Sequence, residues 1–121
     1  VIDLEKPDIL KDKLFDGIIC DVPCSGSGTW ARTPEDISCF KEDEIKNYLE
    51  KQKAIVINAA AHLTKSGKLI YITCSVFKEE NENMVNYIVN NTSLQMQEMK
   101  LIDGTELRAD SLFVASFQNK Q

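Results

Sequence analysis

Two short motifs place thiol and carboxylate groups directly after apolar segments. Asp21-Val22-Pro23-Cys24-Ser25-Gly26-Ser27-Gly28 follows the apolar run 17–20, and Thr73-Cys74-Ser75 follows the run 69–72. Short β-branched runs bounded by turn formers predict buried strands. Ligands bind at the carboxyl ends of strands in open α/β sheets, and thiols and carboxylates carry nucleophilic and proton-transfer chemistry. If the two strands are parallel neighbours, both thiols lie along one edge of the sheet, which is then the candidate site.

The first motif also carries residues that control the backbone. Pro23 fixes its own φ and lacks a donor. Gly26 and Gly28 allow conformations or close approaches that a side chain would block. The pattern therefore predicts a tightly shaped loop from Asp21 to about Pro34.

The rest of the chain predicts the elements that must hold these motifs. A three- and four-residue apolar period predicts an amphipathic helix over about 43–64, with Gly67 as a left-handed cap. A strand over 68–73, a helix over about 78–90 and two strands over 94–101 and 112–117 follow. Alternating strands and helices indicate an α/β fold with mostly parallel strands, and the last two strands are expected to form an antiparallel hairpin.

Composition limits the possible functions. The chain has 121 residues, enough for one domain or part of one, and 43% of them are hydrophobic. The net charge of −5 argues against a nucleic-acid-binding surface by itself, so a polyanionic partner needs a local basic patch or another part of the protein. There is neither a membrane-length apolar run nor a signal peptide, and the first residue is Val1, which suggests an excised or processed piece.

The cysteines indicate free thiols in a reducing, cytoplasmic setting. The four, at positions 20, 24, 39 and 74, have irregular spacing and do not form a disulfide framework. Cys20 and Cys24 lack the second Cys or His pair that a zinc site needs, so no metal is expected. Cysteine is among the most buried residue types, and for Cys20 and Cys39 a core position is the expectation.

Five motifs in this order identify a family resemblance. They are Asp21-Val22-Pro23-Cys24-Ser25-Gly26-x-Gly28, Arg32-x-Pro34-Glu35, Gln52 in the long helix, Tyr71-x-Thr73-Cys74-Ser75, and Glu79-Glu80-Asn81-Glu82. Together they cover most of the chain and resemble the Sun/Nop-type family of RNA cytosine-C5 methyltransferases. The resemblance implies a class I, Rossmann-like fold, S-adenosylmethionine as methyl donor, and ribosomal or transfer RNA as substrate.

The resemblance also implies roles for individual residues. Cys74 is the expected nucleophile, Cys24 is expected to assist product release, and Asp21 is expected to contact the target base beside the methyl donor. The expected cofactor contacts are Asp21, Pro23 and Asp3, and the expected substrate contacts are Arg32, Ser25 and Gly26. For Glu79, Glu80 and Glu82 the simplest interpretation is a favourable interaction with the positive end of the second helix.

Some departures from the family pattern matter. Ser66 replaces the first of two adjacent glycines, and Asp110-Ser111-Leu112-Phe113 stands where Asp-Gly-Phe-Phe is usual. Before Asp21 there is no glycine-rich strand-to-helix turn of the kind that holds the cofactor in this family. We therefore expect residues 1–121 to be the carboxyl-terminal half of a catalytic domain that is inactive alone. The strand over 17–20 would then have an unpaired edge, which predicts self-association or pairing with another chain.

Two other functions compete with this interpretation. In a DNA-type cytosine methyltransferase the cysteine after the proline is the nucleophile, which would promote Cys24 over Cys74. Alternatively, the chain is a half-domain without catalytic function that only self-associates. Arg32 has two interpretations as well, a solvated loop charge or a phosphate contact.

Overall fold

The computed structural model describes Glu5 and residues 10–120. These residues form a four-stranded sheet with helices. The strands are β1 (Phe15–Asp21), β2 (Leu63–Thr73), β3 (Leu94–Ile102) and β4 (Leu112–Asn119), and the helices are α1 (Glu35–Cys39), α2 (Glu42–Ala61) and α3 (Glu82–Asn91). Single 3₁₀ turns cover Ser27–Thr29 and Thr105–Leu107. Within these described residues, no helix is long and apolar enough to cross a membrane.

The sheet has the strand order β1-β2-β4-β3. β1 pairs with β2 in parallel, whereas β4 pairs antiparallel with both β2 and β3. β1, β2 and β3 therefore run in one direction and only β4 is reversed, which confirms the α/β class and the final hairpin. Because β1 and β2 are parallel neighbours, their carboxyl ends lie side by side.

One face of the sheet carries the core. Alternate residues of β2 and β4 are buried, and register places Leu69 opposite Phe117 and Tyr71 opposite Ala115. The amphipathic helices α2 and α3 cover this face with Val56 and other apolar side chains. The buried members of the core are Cys20, Val22, Val56, Ala59, Leu63, Leu69, Tyr71, Met84, Val85, Ile88, Leu94, Phe113, Ala115 and Phe117.

The boundary between α2 and β2 differs from the prediction. The helix ends at Ala61 and β2 begins at Leu63, where the sequence period predicts helix to about residue 64. The left-handed residue is Ser66, with φ 63°, and not Gly67. Gly67 serves another purpose, because a Cβ there would lie 2.9 Å from the Thr64 carbonyl oxygen. Here a close backbone approach requires the glycine.

Two helix predictions also need correction. α3 begins at Glu82 and not at about residue 78, since Asn81 has the non-helical angles φ −110° and ψ −98°. The short helix α1 was not predicted; it begins directly after Pro34, a residue well suited to a first helical turn. Cys39 lies exposed on α1, so its predicted core position is wrong, whereas Cys20 is buried as predicted. Asp3 lies outside the described residues.

Candidate active site

The two thiols meet where β1 and β2 end. Asp21, the last residue of β1, is in register with Ile72, and the two chains then diverge into loops. The Sγ atoms of Cys24 and Cys74 lie 3.3 Å apart, within hydrogen-bonding distance for sulfur. The predicted juxtaposition of two thiols at one sheet edge is confirmed.

Glycines shape the loop that carries Cys24. Gly26 has φ 72°, and its carbonyl oxygen accepts hydrogen bonds from the backbone N–H and hydroxyl of Thr29, both at 2.8 Å. Gly28 donates its N–H to the Cys74 carbonyl at 2.8 Å and accepts from the Ser111 N–H at 3.0 Å. A Cβ on Gly28 would lie 2.4 Å from the Ser111 oxygen. Both predicted roles of these glycines, an unusual conformation and a close approach, are present.

Side-chain bonds hold the Cys74 loop against the Cys24 loop. The Ser27 hydroxyl accepts from the Val76 N–H at 2.9 Å and lies 3.2 Å from the Ser75 hydroxyl. The Thr73 hydroxyl donates to the Asn81 amide oxygen at 2.6 Å, while the Asn81 amide nitrogen donates to the Ser75 carbonyl at 2.8 Å. These buried bonds fix the backbone on both sides of Cys74.

A fully buried carboxylate lies behind the thiols. Glu80 accepts from the backbone N–H of Ser25 at 2.9 Å, from its hydroxyl at 2.7 Å, and from the Gln52 amide at 3.2 Å. The Gln52 amide also donates to the Pro23 carbonyl at 2.9 Å. The Tyr71 hydroxyl donates to the Glu80 carbonyl at 2.7 Å and lies 3.2 Å from the Gln52 amide oxygen.

The predicted role of Glu80 at a helix terminus is therefore wrong. It precedes α3 and points into the core, with a side chain that is 0% exposed. Glu79, its neighbour, is exposed, and of the three predicted glutamates only Glu82 lies in the first turn of α3. The sole sequence signal for Glu80 was its place in the fifth family motif, because an acidic run normally indicates a solvated surface.

The hydrogen bond between the thiols makes them unequal. Donation by the Cys24 thiol lowers the pKa of Cys74 to about 7, against the opposing effects of burial and of the Asp21 and Glu80 charges. The same hydrogen bond, together with burial, raises the pKa of Cys24. Burial alone raises the pKa of Cys20 to about 12. Cys74 is thus the thiol of this group that ionises near neutral pH.

The other predicted site residues occupy different positions. Asp21 and Pro23 are exposed at the same edge, and Asp21 is close enough for its charge to raise the pKa of Cys74. Ser25 is bound to Glu80. Arg32 is exposed, and its guanidinium pairs with both carboxylate oxygens of Asp110 at 3.1 and 2.9 Å. The predicted substrate contacts of Arg32, Ser25 and Gly26 stay predictions.

An aromatic cluster flanks the loops. The ring centroids of Trp30 and Phe40 are 4.9 Å apart, and Phe77 lies 5.8 Å from Trp30 and 5.7 Å from Phe40. These half-buried rings join the loop after Gly28 to the segment after Ser75. Over Glu5 and residues 10–120, no group of three or more His, Cys, Asp or Glu side chains could hold a metal ion.

Comparison with known proteins agrees with this geometry. Residues 1–117 match the family described as 16S rRNA methyltransferase RsmB/F. Ribosomal RNA small subunit methyltransferase F of Shewanella piezotolerans is 33% identical over 76 residues, which are 63% of this chain and 16% of the relative. The chain therefore spans about a sixth of that relative's length.

Solved structures share the fold. The structure of PH0851 superposes with a TM-score of 0.85 and 25% identity, covering 93% of this chain and 29% of the other. NSun6 from Pyrococcus horikoshii with SFG gives a TM-score of 0.74 and 20% identity, covering 86% and 30%. The Rossmann-like methyltransferase fold is thus confirmed, and the chain belongs to the RsmB/F family of 16S rRNA methyltransferases, the Sun-type family indicated by its two cysteine motifs.

Proposed function

We propose that this chain is part of an S-adenosylmethionine-dependent RNA cytosine-C5 methyltransferase. The observation that carries the proposal is the 3.3 Å contact between Cys24 and Cys74 at the carboxyl ends of two parallel strands. Ribosomal RNA is the proposed substrate because the family description and the relatives' names specify it; transfer RNA is the alternative.

The thiol pair suits covalent catalysis on a pyrimidine. C5 of cytosine is a poor nucleophile until a thiolate adds to C6, which turns the ring into an enamine-like species. We assign this addition to Cys74, and its pKa, lowered to about 7, supports the assignment. Asp21, exposed beside Cys74, would share a proton with N3 of the cytosine ring and so favour the addition.

We assign to Cys24 the final steps of the reaction. After methyl transfer to C5, the C5 proton passes to Cys24 acting as a thiolate, the C5–H electron pair forms the C5–C6 double bond, and the C6–sulfur bond breaks so that Cys74 leaves as a thiolate. The Cys24 thiol formed in this way, 3.3 Å from the Cys74 sulfur in the free protein, can donate a hydrogen bond to that leaving group. Product release then requires Cys24, whereas bond formation depends on Cys24 only through the lowered pKa of Cys74.

The described residues fit one side of a cofactor site. Asp21 and Pro23 are exposed beside the thiols and would border the methyl donor. S-adenosylmethionine supplies an electrophilic methyl group when bound. The sequence contains no glycine-rich strand-to-helix turn before Asp21, and the chain covers 29% of the PH0851 structure. We propose on this basis that residues 1–121 form the carboxyl-terminal part of the catalytic domain.

The DNA-type alternative assigns the attack to Cys24. The Thr73-Cys74-Ser75 and Arg32-x-Pro34-Glu35 motifs argue against it, as does the match of residues 1–117 to the RsmB/F family. The half-domain alternative gives no reason for two partly buried thiols to lie 3.3 Å apart at the sheet edge.

The test uses the complete natural protein with its RNA and methyl donor. Cys74→Ala should abolish both methylation and the covalent adduct. Cys24→Ala should permit attack and methyl transfer but stall release, leaving a protein–RNA conjugate on denaturing gels. Cys39→Ala is the matched control, because this thiol is exposed on α1. A conjugate on Cys74→Ala with none on Cys24→Ala would overturn the assignment.

A further inference from the structure

Glu80 is a buried carboxylate whose hydrogen-bond donors come from the Cys24 loop and its support. The backbone N–H and the hydroxyl of Ser25, the residue after Cys24, each donate a hydrogen bond to one carboxylate oxygen of Glu80. Gln52 joins the same carboxylate to the carbonyl of Pro23, the residue before Cys24. A buried carboxylate is stable only when such donors compensate its lost hydration. The residues on both sides of Cys24 are thus tied to one side chain.

We propose that Glu80 is the positioning residue of the thiol pair: through Ser25 and Gln52 it holds Cys24 against Cys74. The catalytic consequence of this positioning role rests on the proposed function. The hydrogen bonds that define the role do not depend on that function. Glu80 acts through the loop that carries Cys24, because its carboxylate accepts hydrogen bonds from Ser25 and Gln52.

Position and charge have opposite effects on Cys74. Holding Cys24 in place supplies the hydrogen bond that is the largest influence lowering the pKa of Cys74, whereas the Glu80 charge raises that pKa slightly. The other ionisable groups near the pair are Asp21, which also raises the pKa of Cys74, and Tyr71, whose own pKa is raised by burial and by nearby charges that include Cys24. Changing the position of Cys24 and changing the charge of Glu80 should therefore move the ionisation of Cys74 in opposite directions.

Three variants separate these effects. Glu80→Gln removes the charge but can keep the network, because its amide can donate to the Ser25 hydroxyl, which then donates to the Ser75 hydroxyl at 3.4 Å. Glu80→Ala removes the anchor. Glu79→Gln makes the same charge change at an exposed site and is the control.

The readout is the rate at which iodoacetamide alkylates Cys74, measured against pH in the complete natural protein without RNA or methyl donor. Alkylated peptides are resolved by mass spectrometry, with exposed Cys39 as internal reference. We expect Glu80→Gln to move the midpoint down and Glu80→Ala to move it up toward the ordinary thiol value of 9.0. Glu79→Gln should leave it unchanged.

The proposal is overturned if Glu80→Ala leaves the midpoint unchanged or lowers it. If circular dichroism shows that Glu80→Ala does not fold, Glu80→Asp replaces it. That variant keeps the charge but is one methylene too short to reach both donors of Ser25, so it too should raise the midpoint, and an unchanged midpoint would overturn the proposal.

Activity distinguishes this proposal from the proposed function. With RNA and methyl donor, Glu80→Ala should accumulate the same denaturation-resistant conjugate as Cys24→Ala. If the alkylation midpoints shift as expected but the unaltered protein forms no conjugate and methylates no cytosine, the proposed function fails while the positioning role stands. If methylation proceeds normally in Glu80→Ala, the positioning role fails while the proposed function stands.

Discussion

The ionisation of Cys74 offers a direct physical test of the site. Cys24→Ala removes the thiol donor that lies 3.3 Å from the Cys74 sulfur. Of the influences that remain, burial and the charges of Asp21 and Glu80 raise the pKa of Cys74, and only a backbone hydrogen bond lowers it. The pKa should therefore rise from about 7 to at least its ordinary value of 9.0.

The size of the effect follows from two opposing terms. At pH 7 a rise of about two pKa units lowers the thiolate fraction about 50-fold. A more basic thiolate is also a better nucleophile, by about 8-fold for a Brønsted slope of about 0.45. Alkylation of Cys74 in Cys24→Ala should thus be about 6-fold slower at pH 7 but about 7-fold faster at pH 10, with the two rate profiles crossing near pH 8.

Iodoacetamide labelling of the complete natural protein, resolved by peptide mass spectrometry, measures both profiles. Cys24→Ser is the matched control, since its hydroxyl can still donate to the Cys74 sulfur and should keep the midpoint below that of Cys24→Ala. The direction of the change follows because the thiolate is the reactive form. The lowered pKa of Cys74 keeps it reactive as the pH falls toward 7, and this reactivity is lost when the pKa rises. Superimposable profiles for the unaltered protein and Cys24→Ala would refute the proposed hydrogen bond.

Three further predictions concern stability and association. Tyr71→Phe removes a hydroxyl that donates to the Glu80 carbonyl at 2.7 Å and should lower the free energy of unfolding by about 1–2 kcal/mol in urea titrations; an unchanged midpoint would show that the bond contributes nothing. Gly28→Ala places a Cβ 2.4 Å from the Ser111 oxygen and should lower it by roughly 1–3 kcal/mol. Ile19 on β1 is 70% exposed, so Ile19→Lys should reduce the predicted self-association in light scattering; unchanged association would place the contact elsewhere.

The sequence determined the elements and most of the site's membership. Apolar periods and turn residues located α2, β1, β3 and β4 to within a few residues, because those signals act between near neighbours in the chain. The cysteine motifs indicated the family. The same local reasoning failed at Ser66 and Gly67. Ser66 takes the left-handed angle, whereas Gly67 is needed where the carbonyl oxygens of Thr64 and, from β1, Phe15 lie 2.9 and 3.2 Å from the position of a Cβ.

Tertiary structure decided how the site residues act on one another. The 3.3 Å contact of Cys24 and Cys74 depends on β1 and β2 being parallel neighbours in a particular register, a relation between segments 50 residues apart. Glu80 shows most clearly what the sequence cannot predict. Its acidic run predicts a solvated helix start, yet Glu80 is buried and hydrogen-bonded to Ser25, 55 residues away. Burial reverses the meaning of a charged residue, because a carboxylate removed from water must find its donors in the fold, and no local pattern records where those donors are.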